Sequence, residues 1–184
     1  MTVNTLDSVT QIVRTKALRE NEELYAVIDG AQDLEMAFLS KQIYDEAIHS
    51  LFEGDMTDAL ADVAPYFTHV DLEKDYLERW QEKLGNNVGI LFTTANNDNE
   101  LLIQHLREIF VVTDESEQEY FFRFYDPRVI RTFLSTCNEE ELRQFFGPIS
   151  SFLVESERPN GLIQYSIVES RLSVSEFEFS LNAS

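Results

Sequence analysis

Short apolar runs alternate along the chain with longer stretches in which apolar residues recur every three or four positions. The runs read as strands and the periodic stretches as amphipathic helices. Leu24-Tyr25-Ala26-Val27-Ile28, closed by Asp29-Gly30, predicts a buried strand and a tight turn. Before it, Ile12, Val13, Ala17 and Leu18 predict a short helix between Val9 and Arg19. After it, Phe38, Leu39, Ile43, Tyr44, Ala47, Ile48 and Leu51 fall on one face of a helix over Leu34 to Phe52, with Gly54 at the terminating position. Ser50 to Glu53 reads equally as extended chain.

Asp58 to Ala64 reads as a helical turn and Pro65 to Val70 as a strand. Asp71 is placed to cap a helix carrying Leu72, Tyr76, Leu77, Trp80 and Leu84, which Gly85 ends. Val88 to Phe92 is a second buried strand. Asn97 stands as the next cap, with Glu100 in the capping-box position ahead of Leu102, Leu106 and Ile109. Phe110 to Thr113 and Tyr120 to Tyr125 read as strands around the polar turn Asp114 to Glu117. Ile149 to Val154, Leu162 to Val168 and Leu172 to Phe179 all look extended, the last with period-two alternation. The expectation is an α/β layered domain with a mixed sheet flanked by helices, then a short helix pair and a β-rich C-terminal extension. The last strand is an edge candidate able to pair with another chain.

Composition narrows the function. The chain has 184 residues, a single-domain length with enough apolar content (43%) for a core without disulfide or metal. Fourteen basic against 34 acidic residues give −20, which argues against a nucleic-acid surface, because phosphate contacts need clustered cations. The same charge favours basic partners. One cysteine, Cys137, forms no internal disulfide and fits a cytoplasmic protein. The N-terminal residues lack a signal-peptide pattern, and the longest apolar runs are far below a membrane span.

The most informative segment is Phe122-Arg123-Phe124-Tyr125-Asp126-Pro127-Arg128-Val129-Ile130-Arg131. A strand ending at Tyr125 meets a helix with Asp126 as cap and Pro127 at the first helical position. Arg128 in the first turn opposes the helix dipole, so a carboxylate compensates it or it faces a partner. Arg123, Arg128 and Arg131 form a positive island with one acid, Asp126. Asn138 with Glu141 offers a capping box, and Phe145-Phe146-Gly147-Pro148 ends the second helix.

These residues carry a resemblance. Tyr25 to Ala31, Leu51-Phe52-Glu53-Gly54, Leu60 to Tyr66 with Pro65, Val88 to Phe92 and Leu101 to Arg107 stand in order before the two strongest strings. Those are Phe122 to Val129 and Phe145 to Pro148. The sequence resembles the type VI secretion effector chaperones, or adaptors (Tap/TEC), over about residues 24–150. Residues 1–23 and 151–184 show no match of this kind, and the whole is expected to be one domain. The resemblance implies a non-catalytic cytoplasmic protein that binds a toxic effector, often through its N-terminal region. It also implies loading onto the spike protein (VgrG), sometimes with a spike-tip (PAAR) region involved. The motif candidates under that reading are Arg123, Tyr125, Asp126, Arg128 and Arg131 for partner binding. Asp29, Gly30, Gly54, Pro65, Pro127, Phe145, Phe146, Gly147 and Pro148 are structural candidates.

Enzyme motifs find little support. His49, His69 and His105 lack metal-ligand spacing, and no nucleophile elbow or phosphate loop is present. No cofactor, metal or catalytic residue is expected. Cys137 reads as an inert thiol, and Phe121, Phe122 and Phe124 as core more readily than as a platform. Two other classes stay open: an acidic immunity protein that neutralises a basic toxin, and a small hydrolase using Asp29 or Asp126.

Overall fold

The computed structural model describes residues 8–44, 48–54, 59–114 and 116–179. The helix α1 (Val9–Ile12), capped by Ser8, runs into a π-helical turn, Val13–Ala17. Then come β1 (Glu23–Asp29), α2 (Leu34–Tyr44), β2 (Ile48–Ser50) and β3 (Pro65–His69). They are followed by α3 (Tyr76–Glu82), β4 (Gly89–Thr94), α4 (Asn99–Phe110) and the hairpin β5 (Val111–Thr113) with β6 (Glu119–Phe121). A helix pair, α5 (Pro127–Leu134) and α6 (Glu139–Phe146), leads to β7 (Ser151–Glu155), β8 (Gly161–Val168) and β9 (Arg171–Glu178).

The α/β layered class holds, but the sheet is not mixed. Seven strands lie in the order β2-β3-β1-β4-β7-β8-β9, and every neighbouring pair is antiparallel. The physical reason lies in one crossover. β3 and β4 are joined through α3 and run the same way, but β1 sits between them, antiparallel to both. A strand–helix–strand pattern therefore yields no adjacent parallel pair. The C-terminal strands are continuous with the sheet, since β7 pairs with β4 through Phe92 and Phe152. β9 is the far edge, as its alternation predicts.

Both faces of the central strands are covered, so β1 and β4 read as unbroken apolar runs rather than alternating ones. On one face Leu24, Ala26, Ile28, Leu91 and Leu153 pack with Val9, Ile12, Met36 and Trp80 from α1, α2 and α3. On the other, Tyr25, Val27, Phe67, Phe92 and Phe152 meet Leu102, Leu106, Ile130, Phe145 and Phe146 from α4, α5 and α6. Tyr25 stacks between Phe67 and Phe92 at 5.3 and 5.4 Å.

Local boundaries move in four places. The helix expected over Leu34 to Phe52 ends at Tyr44, and Ile48–Ser50 is a strand on β3, so Gly54 does not terminate that helix. Gly54 instead takes a left-handed turn at φ 59°. Ala47, Asp58 and Glu115 lie outside the described residues. Asp71 turns the chain by accepting from the Glu73 N–H, and the helix starts only at Tyr76. Asp98, not Asn97, caps α4, accepting from the N–H groups of Glu100 and Leu101. The strand expected from Tyr120 to Tyr125 stops at Phe121, because the Phe124 N–H bonds the Phe122 carbonyl and the chain turns.

Candidate functional site

Two features of the helical layer on the Phe92 face are candidates for a functional site: a charged junction and an apolar groove beside it. The junction begins where β1 ends. The Asp29 carboxylate is buried, and its Oδ1 accepts from the N–H groups of Ala31 (3.1 Å) and Gln32 (3.3 Å). Its Oδ2 accepts from the guanidinium of Arg123. Gly30 is required at this turn because a Cβ there meets the Ala64 carbonyl oxygen, to which the Gly30 N–H also bonds. Pro65 follows and pairs with Asp29 at the start of β3.

Arg123 also lies over the Tyr125 ring, 5.9 Å from its centroid. Burial, with Asp29 nearby, pushes the Tyr125 hydroxyl up to about 12. Asp126 is the helix cap that its position ahead of Pro127 predicts, accepting from the Arg128 N–H at 2.9 Å. The same carboxylate takes Arg128 Nε at 2.9 Å and Nη2 at 2.7 Å. Arg128 thus meets its compensating charge two residues away, which resolves its conflict with the dipole. Burial acts to raise the Asp126 carboxyl, and the Arg128 bonds outweigh it, holding the group below the usual carboxylate range.

Arg131 donates to the Glu155 carbonyl at 2.7 Å. The Glu155 side chain accepts from the N–H groups of Gly85 (2.7 Å) and Asn87 (2.8 Å), and burial pushes its carboxyl up. Arg131 and Glu155 tie α5, β7 and the turn after α3 together. Sequence reasoning missed Glu155; the left-handed Gly85 and Asn87, whose N–H groups need an acceptor, were the available signal. So the structure brings Arg123, Tyr125, Asp126 and Asp29 into one cluster. Arg131 lies at a separate junction.

The end of α6 anchors the same layer. Phe145 and Phe146 pack on Phe152 with centroids 5.2 and 5.0 Å apart. Gly147 closes the helix at φ 48°, with the His105 ring where its Cβ would stand. His105 Nε2 lies 3.0 Å from the Phe145 carbonyl, and the Pro148 carbonyl accepts from Thr94 Oγ1 at 2.7 Å. Burial lowers the pKa of His105.

Between α4 and the helix pair runs an open groove of about 570 Å³. Ile109, Val112, Phe122, Phe133 and Phe145 form its apolar walls; His105, Glu108, Glu141 and Gln144 form its polar margin. The three phenylalanines are in mutual ring contact, Phe122 with Phe133 at 4.8 Å and Phe133 with Phe145 at 5.0 Å. This divides the Phe set unlike the sequence reading. Phe124 is core, Phe122 lines the groove, and Phe121 is 51% exposed although stacked on Phe110. Cys137 donates to the Phe133 carbonyl, and burial raises its pKa, which fits an inert thiol. Among the described residues no cluster of three His, Cys, Asp or Glu is placed to hold a metal, and no helix is long and apolar enough to cross a membrane.

Comparison with known proteins gives one result. A family model described as a domain of unknown function, DUF4123, matches residues 24–144. No curated protein and no solved structure matches the chain. The matched span holds the whole Asp29–Arg123–Asp126 cluster and every groove residue but Phe145. With more than half of its length matched, the chain belongs to the DUF4123 family, the Tap/TEC adaptors of type VI secretion effectors.

Proposed function

We propose that the chain is a cytoplasmic adaptor that binds one toxic effector, through that effector's N-terminal region, and helps load it onto the spike protein VgrG without turnover. A spike-tip PAAR region is a further contact under this reading. The observation that carries it is the overlap of the family match with the groove: eight of the nine groove residues fall inside 24–144. An adaptor needs a preformed apolar surface that a cargo segment can cover, and the groove is one. The arginine cluster then serves as the frame that fixes the groove wall, since Arg123 and Arg128 each hold a carboxylate within the chain.

The test is delivery. Deleting the protein in the producing bacterium stops transfer of the effector encoded beside it and leaves other spike-borne cargo moving. Undiminished transfer of that effector contradicts the proposal. Relief of effector toxicity on expression of the protein in a sensitive cell points instead to an immunity protein.

A further inference from the structure

The groove differs in charge from another groove of similar size in the fold. That one, between α2 and α3, also has acidic margins, but Lys83 pairs with Glu35 at 2.5 Å and Arg79 lies 3.6 Å from both Asp75 and Glu82. Among the described residues no lysine or arginine lines the groove between α4 and the helix pair. Among the described residues the Glu108 side chain is hydrogen-bonded only to the Gln104 amide and that of Glu141 only to the Asn138 N–H, and neither has an ion-pair partner. Two exposed carboxylates therefore flank a wall of aliphatic and phenylalanine side chains.

We infer that this groove seats an effector segment whose large apolar side chains are flanked by lysine or arginine; the identity of the partner as the effector rests on the adaptor reading above. A purely apolar segment desolvates Glu108 and Glu141 without compensation, and an acidic one repels them. A basic-flanked segment neutralises both while its apolar residues cover Ile109, Val112 and Phe122. The net charge of −20 steers the same partner toward the protein.

The direct probe is a short labelled peptide of leucine and lysine at helical spacing, with a leucine–glutamate peptide of the same pattern as comparison. The full chain binds the first at least about tenfold more tightly than the second. Val112→Arg with Glu108→Lys, both exposed positions, weakens that binding about tenfold or more while circular dichroism stays native. Glu78→Lys on α3, across the sheet, leaves it unchanged. Equal loss from Glu78→Lys, no loss from the groove variant, or equal binding of both peptides overturns the inference. So does a wild-type dimer that the groove variant splits, because a second copy then covers the groove.

Co-expression with the neighbouring effector separates the two claims. A groove variant that still captures the effector as wild type does overturns the groove and leaves the adaptor reading standing. A wild-type protein that captures no effector, yet binds the basic peptide in the groove, overturns the adaptor reading alone.

Discussion

The guanidinium of Arg123 bonds the buried carboxylate of Asp29, 94 positions earlier in the chain. The pair joins the end of β1 to the turn ahead of α5, so it fixes the helix pair against the sheet. Removing Arg123 leaves Asp29 with two backbone donors and without its direct ion-pair partner. Arg123 is 43% exposed, so water softens the loss, and Arg123→Ala is expected to cost about 1–3 kcal/mol. A lowered denaturation midpoint with an unchanged slope checks it. No shift shows that the ion pair contributes nothing to the junction.

Asp126 and Arg128 separate a cap from a surface ion pair. Asp126→Ala removes the α5 cap and leaves Arg128 opposing the dipole, for a loss of about 0.5–2 kcal/mol. Arg128→Ala leaves the cap in place and removes a pair whose cation is 54% exposed, for a smaller loss. Thermal melts of the two variants give that order, and Arg128→Ala keeps its effector. A folded Arg128→Ala protein that loses the effector shows instead that Arg128 touches the partner.

Gly147→Ala forces a side chain into a left-handed position already faced by the His105 ring. The expected loss is about 1–3 kcal/mol, with the α6 end and the neighbouring groove wall disturbed together. Hydrogen exchange at Phe145 and Phe146 reports that local opening.

His105 gives the pH dependence. Burial holds its folded value below the ordinary value of about 6.5, so the unfolded chain takes up the proton first. Its contribution is fully present above about pH 6.5 and is lost as pH falls through the lower folded value. Glu155 shifts the other way, its raised carboxyl costing stability as pH rises through its range. Comparing wild type with His105→Gln cancels the effect of Glu155. The difference in stability between them shrinks on acidification from about pH 7 to 5. A pH-independent difference contradicts a neutral, buried His105.

What was legible in the sequence was what neighbours in the sequence decide. The Asp126 cap ahead of Pro127 and the Asn138–Glu141 capping box both stand as read, because cap and donor lie within three residues. Asp98 displaced Asn97 because two adjacent side chains offer the same acceptor and only backbone direction chooses between them. Strand direction was not legible: β1 inserts between β3 and β4, and no local pattern records an insertion. The partner of Arg123 was equally hidden, since strand alternation past Phe121 no longer applied once the chain turned. An apolar groove or sheet edge with acidic rims is what the charge and apolar excess lead one to expect, but its place is not legible, because Phe122 and Phe133 have the composition of core and only packing leaves one side of each uncovered.

The central claim, that this chain holds an effector for delivery, is tested most directly by co-expressing the tagged protein with the effector encoded beside it and measuring the purified product by light scattering. The account predicts a stoichiometric complex, with the effector soluble only in the presence of its adaptor. An effector that is soluble alone and does not co-purify with the well-folded protein contradicts it.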